Sequence, residues 1–248
     1  MKTLKNQTLL YDEDCPLCRV YTSGFIKAKM LDENGKKPYC QLSSEEQSFI
    51  DVQRAANEIA LVDNLNKTVT YGIDSLLKVI GFSFPIVEKI GNLKPIKFLL
   101  KKLYSFISYN RKVIIPGRIN KKMTLQCEPD FSYKYRILFI FFATFCSLLI
   151  LKQVFVASTI WQLVCISSII FGVQCILFIK ISQDTMLIYF GNFAASCLVS
   201  ALFFMPMLAL KSIFRLSEQF IRLGCIFVLL FFVFDISRRV QIIFDNSK

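Results

Sequence analysis

The second half of the sequence consists mostly of long apolar stretches, and no other feature limits the possible fold as strongly. Three of these stretches are close to the roughly 20 residues that an α-helix needs to cross a bilayer, and they cover residues 137–155, 160–179 and 187–210. A fourth, Leu223 to Phe234, is short unless Phe220 and Ile221 are included. Helices of a buried core would show a polar face, and these stretches have no charged face. We therefore predict an all-α transmembrane region of about four helices.

The composition changes at about residue 136, which predicts how the chain is divided. Hydrophobic residues make up 54% of the chain, above the roughly 45–50% that is typical of globular domains. The excess lies in the second half. We predict an N-terminal domain over residues 1–115, a basic link over 116–136 and the membrane region over 137–248.

Positive charges before the first apolar stretch predict its orientation. They are Arg111, Lys112, Arg118, Lys121, Lys122, Lys134 and Arg136. Such a flank favours the cytoplasmic side, and the first residues do not resemble a secretory signal. Four spans would return the C-terminus to that side, although Lys211, Arg215 and Arg222 would then face outward. We predict a multi-pass protein of the cell membrane with a cytoplasmic N-terminal domain.

A Cys-x-x-Cys pair, Cys15 and Cys18, lies where a predicted strand, Thr8 to Asp12, meets a predicted helix, Pro16 to Met30. The thiolate is the attacking species in disulfide exchange, and a helix N-terminus stabilises it. Cys15 is therefore the expected attacking thiol and the more exposed one. Cys18, one turn further on, would resolve the mixed disulfide.

Asp12 is the candidate to accept or relay the proton of Cys18, and its alternative role is an Asx-type turn. Together with Glu13 and Asp14 it opposes thiolate formation, whereas the helix dipole and Arg19 favour it. The sequence leaves the direction of the Cys15 pKa shift open.

The stretch from Tyr11 to Arg19 resembles the signature of the DCC family, predicted thiol–disulfide oxidoreductases named for an Asp-x-x-Cys-x-x-Cys motif. Later stretches resemble further landmarks of that domain, in order, at residues 60–63, 70–77 and 103–111. The resemblance covers roughly residues 5 to 115. Glu13 departs from it, because many relatives have glycine there. The resemblance implies thiol–disulfide exchange by Cys15 and Cys18 more securely than it implies a substrate.

The order of elements predicted for the N-terminal domain is strand, helix, strand, helix, hairpin and helix, which fits an α/β thioredoxin-like fold. The second strand is expected around Tyr39 to Leu42, and Ser44 is the expected N-cap of the next helix. Two short β-rich runs, residues 58–63 and 68–71, predict the hairpin. Thioredoxins generally carry a cis-proline facing the dithiol, and Arg54 to Glu58 offers none.

Other roles of the cysteines stay open. A zinc site would have to recruit Cys40 and Cys127, because the chain has no histidine. A structural disulfide or a buried packing pair is also conceivable for the dithiol. Five further cysteines fall within the predicted spans and are expected to pack there: Cys146, Cys165, Cys175, Cys197 and Cys225. Without histidine, neither a Ser-His-Asp triad nor a histidine-ligated haem can form, and we expect no cofactor and no metal.

The net charge of +12 does not predict a nucleic-acid partner, because lysines and apolar residues alternate between residues 89 and 103. This basic amphipathic stretch would lie against anionic lipid headgroups or pack onto the N-terminal domain, and both could hold.

The sequence thus predicts a membrane-anchored thiol–disulfide oxidoreductase whose partners are protein or small-molecule thiols and disulfides, and the lipid bilayer. The alternative is a membrane protein whose cytosolic head is a binding module with a redox-sensitive latch. A third possibility, transport of a small hydrophobic or lipid substrate, has little support, because Lys152 and Asp235 are the chief charges of the spans and lie near their ends.

Overall fold

A computed structural model describes residues 2–119, 127, 129–152, 182–214 and 218–247. It divides into two compact units, Met1–Ser132 and Tyr133–Lys248. The boundary falls inside the basic link that the composition predicts.

The first unit, here called the head, contains a mixed four-stranded sheet. Its strands are β1 (Gln7–Tyr11), β2 (Lys36–Pro38), β3 (Ala60–Asp63) and β4 (Thr68–Tyr71). The order in the sheet is β2-β1-β3-β4. β1 is parallel to β2 and antiparallel to β3, which forms the predicted hairpin with β4. Because β1 lies between β2 and β3, the dithiol that follows its carboxyl end lies after an inner strand of the sheet and not after an edge strand.

Six α-helices accompany the sheet: α1 (Pro16–Lys27), α2 (Ser44–Phe49), α3 (Val52–Asn57), α4 (Ile73–Ser83), α5 (Pro85–Gly91) and α6 (Lys94–Ile114). Local sequence explains several of their first residues. Ser43 and Glu46 form a capping box at α2, and the Asp51 side chain caps α3. Proline occupies the first turn of α1, α5 and α6, where its missing N–H has no intrahelical partner.

Two local predictions for the head are wrong. The second strand lies at Lys36–Pro38 rather than Tyr39–Leu42, and a short 3₁₀ helix covers Tyr39–Gln41. Tyr39 is buried, and its hydroxyl donates to the carbonyl of Val52. This tertiary contact favours the 3₁₀ conformation of Tyr39 over pairing in the sheet. The N-cap of α2 is Ser43 rather than Ser44.

Successive side chains of the central strands belong alternately to two core clusters. One contains Leu10, Ala60 and Val62, and the other contains Leu9 and Leu61. This alternation is that of a sheet covered on both faces. The second cluster also includes Val79 of α4 and is packed by Tyr104 of α6.

Within its described residues, the second unit contains three long helices: α7 (Tyr133–Leu151), α8 (Gln183–Phe214) and α9 (Glu218–Ser247). Each includes a segment long and apolar enough to cross a membrane: Tyr133–Leu151, Gln183–Leu210 and Gln219–Asp245. The predicted span over 160–179 lies outside the described residues. The last span is more than twice as long as the Leu223 to Phe234 stretch, because the helix continues past Asp235. The described residues therefore include three helices that could span a membrane, which is consistent with a membrane protein.

Candidate functional site

The two cysteines of the dithiol lie at the junction that the sequence predicts. Cys15 is the N-cap of α1, and its Sγ accepts a hydrogen bond from the Cys18 backbone N–H at 3.4 Å. Cys18 lies in the first turn of that helix. Both side chains are buried, Cys15 at 1% and Cys18 at 4% of their full exposure. The prediction that Cys15 is the more exposed thiol is therefore wrong.

Asp12 and Arg111 form a buried ion pair next to the dithiol. Arg111 Nη2 lies 3.4 Å from Asp12 Oδ2, and the side chains are 7% and 4% exposed. Asp12 also accepts from the Asp14 backbone N–H at 3.0 Å, which is the predicted Asx-type contact. Asp12 thus has both a turn role and a charged partner. Sequence analysis included Arg111 in the DCC-like stretch at residues 103–111 and in the positive flank. It did not predict that Arg111 contacts Asp12.

A third cysteine, Cys127, contacts this ion pair. Its Sγ and its carbonyl oxygen each lie 3.5 Å from Arg111 Nη2, and its Sγ lies 3.8 Å from the carbonyl oxygen of Ala56. Sequence reasoning named Cys127 only as a conceivable zinc ligand and gave it no role in the redox site. Only the tertiary structure brings it to the site.

Helix α6 holds the segment before β3 through three side chains on one face. The Tyr104 hydroxyl accepts from the Ile59 backbone N–H, Ser108 donates to the Asn57 carbonyl, and Arg111 donates to the Ala56 carbonyl, at 2.7, 2.6 and 2.9 Å. This segment overlaps Arg54 to Glu58, where the sequence offers no proline. Hydrogen bonds from α6 therefore fix the backbone that faces the Asp12–Arg111 pair.

The surroundings separate the pKa values of the two thiols. Hydrogen bonding with the Cys18 side chain is the main cause that lowers the pKa of Cys15 to about 7; the Cys18 backbone N–H and Arg111 add to it, against burial and Asp12. The same contact with Cys15, together with burial, raises the pKa of Cys18. Cys15 is thus suited to be the thiolate and Cys18 to keep its proton. The cation involved is Arg111 rather than Arg19.

The pKa of the Asp12 carboxyl is raised by burial, and Arg111 opposes this shift. A carboxyl whose pKa moves toward neutrality is better suited to accept and return a proton at physiological pH. Burial raises the pKa of Cys127 to about 12, so this third thiol is protonated in the site.

The chain that follows α6 covers the loop that carries the dithiol. A side chain at Gly117 would overlap the Asp14 carbonyl oxygen and lie 3.0 Å from the Pro16 ring. Only glycine allows the two backbone segments to approach so closely. This contact keeps the dithiol loop covered.

A cavity of about 240 Å³ lies beside Cys18, and Cys15 does not line it. Its walls are mostly apolar, with Leu17, Phe25 and Ile59, and Arg111 also lines it.

The second unit has a separate buried polar cluster, which sequence reasoning missed. Asp235 of α9 accepts from Arg239 Nε at 2.6 Å, from Arg238 at 2.9 Å and from Ser196 of α8 at 2.9 Å. Arg239 also donates to Asn192 at 3.3 Å. Arg239 is buried, and its charge is paired with that of Asp235. The cluster therefore joins two helices.

Three comparisons with known proteins were made. No protein-family model, no curated protein and no solved structure matches this chain. Within the described ranges, no group of three or more His, Cys, Asp or Glu side chains is arranged to hold a metal ion. The site is therefore defined by its own geometry: a buried dithiol at a strand-to-helix junction, flanked by an Asp–Arg pair and a third cysteine.

Proposed function

We propose that the protein is a membrane-anchored thiol–disulfide oxidoreductase of the DCC type, with Cys15 as the attacking thiol, Cys18 as the resolving thiol and Asp12 as the proton acceptor. The observation that carries the proposal is the position of Cys15 at the N-cap of α1, where its Sγ accepts from the Cys18 backbone N–H beside a buried Asp12–Arg111 pair. The directions of the two pKa shifts, lowered for Cys15 and raised for Cys18, agree with these roles. Packing alone would not require this arrangement of charges.

The architecture of the head supports a thioredoxin-like assignment. Two parallel strands, β1 and β2, are joined through helix α1, and an antiparallel hairpin follows on the other side of β1. The dithiol lies at the carboxyl end of β1, where open α/β sheets usually place their sites.

The reaction proceeds in two steps. The Cys15 thiolate attacks one sulfur of a disulfide; a bond forms between that sulfur and Cys15, and the other sulfur leaves as a thiolate. Cys18 then transfers its proton to Asp12 and attacks Cys15. The second substrate thiolate leaves, and Cys15 and Cys18 remain as a disulfide. The substrate disulfide is the oxidant, and it takes up the two electrons that the dithiol loses.

The proposal is tested by trapping the mixed disulfide on the full chain. Purified protein is incubated with glutathione disulfide, and adducts are located by peptide mass spectrometry. Cys18→Ser should retain glutathione on Cys15, because the resolving thiol is missing, and Cys15→Ser should retain none on Cys18. Wild-type protein should end as the Cys15–Cys18 disulfide.

Adduct on Cys18 but not on Cys15 would reverse the two roles. Stoichiometric zinc bound through both cysteines would end the redox proposal. Capture of proteins in cells by Cys18→Ser, compared with Cys15→Ser as the matched control, shows whether protein disulfides are substrates as well.

Burial of both thiols favours a second candidate, a redox-sensitive latch. In this case oxidation of the dithiol would change the Gly117 contact with Asp14 and thereby release the chain after α6. The dithiol would not catalyse disulfide exchange. Limited proteolysis of the oxidised and reduced full chain measures this release. A latch predicts a large difference in cleavage near residues 115–119. With dithiothreitol supplied as the reductant, it also predicts no acceleration of glutathione disulfide reduction, whereas an oxidoreductase predicts turnover.

A further inference from the structure

We propose that one face of the head, formed by helices α5 and α6, lies directly on an anionic lipid surface, so that the head is held to the bilayer by this contact as well as by its covalent link. This inference is independent of the redox function. It concerns what the head touches rather than what its dithiol does.

Both helices carry large exposed apolar side chains. They are Ile86 (72% exposed), Ile90 (49%), Leu93 (53%), Phe98 (66%), Leu99 (67%) and Leu103 (51%). The opposite side of α6 carries Tyr104, Ser108 and Arg111, which bond to the head core. The structure thus confirms that α6 packs onto the head, and it leaves this second face uncovered. Clustered apolar residues of this size mark interaction surfaces.

The charges around this face match a phospholipid headgroup layer. Lys89, Lys94, Lys101 and Lys102 are exposed within or beside it. Asp74 partly neutralises Lys101, at 3.9 Å, and pairs closely with Lys97. Within the described residues, Lys89, Lys94 and Lys102 have no acidic partner. Apolar side chains between exposed lysines are the pattern of helices that lie in the interface of anionic membranes.

The covalent link to the membrane-spanning candidates makes a bilayer the most accessible partner for this face. Helix α6 ends at Ile114, and the first membrane-spanning candidate begins at Tyr133. The residues between them span at most about 60 Å even when fully extended. A bilayer is therefore always within reach of this face, whereas a separate protein partner would have to diffuse to it. Each lysine near an anionic surface adds to this attraction, which salt screens.

Tryptophan fluorescence of the full chain in vesicles tests the proposal. The single tryptophan, Trp161, is changed to Phe, and Leu99→Trp then places a probe on the face. The matched control is Leu65→Trp, in the β3–β4 turn, because Leu65 is as exposed (73%) but lies outside the face. Both are reconstituted with acyl-brominated lipids, which quench tryptophan on contact. Leu103→Trp is a second probe should Leu99→Trp not fold.

We expect quenching of the Leu99→Trp probe to be several-fold stronger than that of Leu65→Trp in vesicles containing phosphatidylglycerol, and weaker in phosphatidylcholine alone. Adding Lys94→Gln and Lys102→Gln should reduce it. Equal quenching of the two probes would overturn the proposal. A blue-shifted Leu99→Trp emission without lipid quenching would also overturn it, and would assign the face to a protein, such as a second copy of the chain.

Discussion

At the scale of single residues, Arg111 is the side chain that makes the dithiol region a candidate site. Its guanidinium contacts Asp12, the Ala56 carbonyl and Cys127, and it helps to lower the pKa of Cys15. A buried ion pair has little net effect on stability, because desolvation offsets the attraction.

Asp12→Asn should separate thiolate formation from proton transfer. The amide keeps the Asx contact with Asp14, but removes a negative charge that raises the pKa of Cys15. The pKa of Cys15 should therefore fall below about 7. Disulfide exchange above that pH should nevertheless slow by about 100-fold, because Cys18 loses its proton acceptor. The pH dependence of Cys15 alkylation and the rate of glutathione disulfide reduction measure the two effects.

Asp14→Asn is the matched control, since it removes a neighbouring carboxylate that is not paired with Arg111. It should leave the exchange rate within a few-fold of wild type. If Asp12→Asn exchanged as fast as this control, Asp12 would be a turn residue only.

At the scale of elements, the two long helices α8 and α9 are joined by polar contacts within apolar segments. Asp235 bonds to Ser196, and Arg239 bonds to both Asp235 and Asn192. Polar side chains in membrane spans usually face another helix, and here the buried charge of Arg239 is matched by that of Asp235. This argues for a structural role and gives no added support to transport of a substrate.

Asp235→Leu should destabilise the membrane unit by about 3 kcal/mol, because it removes the carboxylate that compensates the buried charge of Arg239. The double variant Asp235→Leu/Arg239→Met should lose less stability than the single variant. Unfolding in mixed detergent micelles, followed by circular dichroism, measures both. Additive losses in the double variant would show that the two side chains do not act as a pair.

At the scale of the whole molecule, the chain consists of a head with a covered dithiol and a unit of membrane-crossing candidates. The compartment that the head occupies determines its chemistry. A cytoplasmic dithiol is exposed to a glutathione redox potential of roughly −220 to −320 mV. It should be largely reduced unless its own reduction potential is lower. On the opposite side it would meet oxidising conditions.

Reporter fusions should place the head in the cytoplasm of the cell. Fusions after Met123, within residues 183–185 and at Lys248 should report cytoplasm, and fusions near Ala157 and Ser217 should report the far side, because the basic flank is retained inside. An exterior signal after Met123 would overturn the cytoplasmic location. A cytoplasmic signal at Ser217 would mean that only two spans cross before it.

The local sequence was sufficient to predict the helix N-terminus at Cys15, the hairpin and the apolar helices, because their physical causes lie within a few neighbouring residues. A strand followed by Cys-Pro-x-Cys placed Cys15 at a helix N-terminus, and the two β-rich runs at residues 58–63 and 68–71 predicted the hairpin. Apolar length predicted three helices that the structure describes. Where a local pattern competed with a distant contact it failed: residues 39–42 read as a strand, yet burial of Tyr39 and its bond to Val52 made them a 3₁₀ turn.

Only the tertiary structure decided what surrounds the dithiol. Arg111 is 99 residues from Asp12 along the chain, and no periodicity or spacing relates two positions so far apart. The same holds for Cys127, for Gly117 over Asp14 and for Asp235 beside Ser196. Burial of both thiols, and the direction of their pKa shifts, follow from these contacts. Composition and spacing thus predicted apolar helices and a dithiol at a helix N-terminus, and long-range packing decided which charges face the thiols.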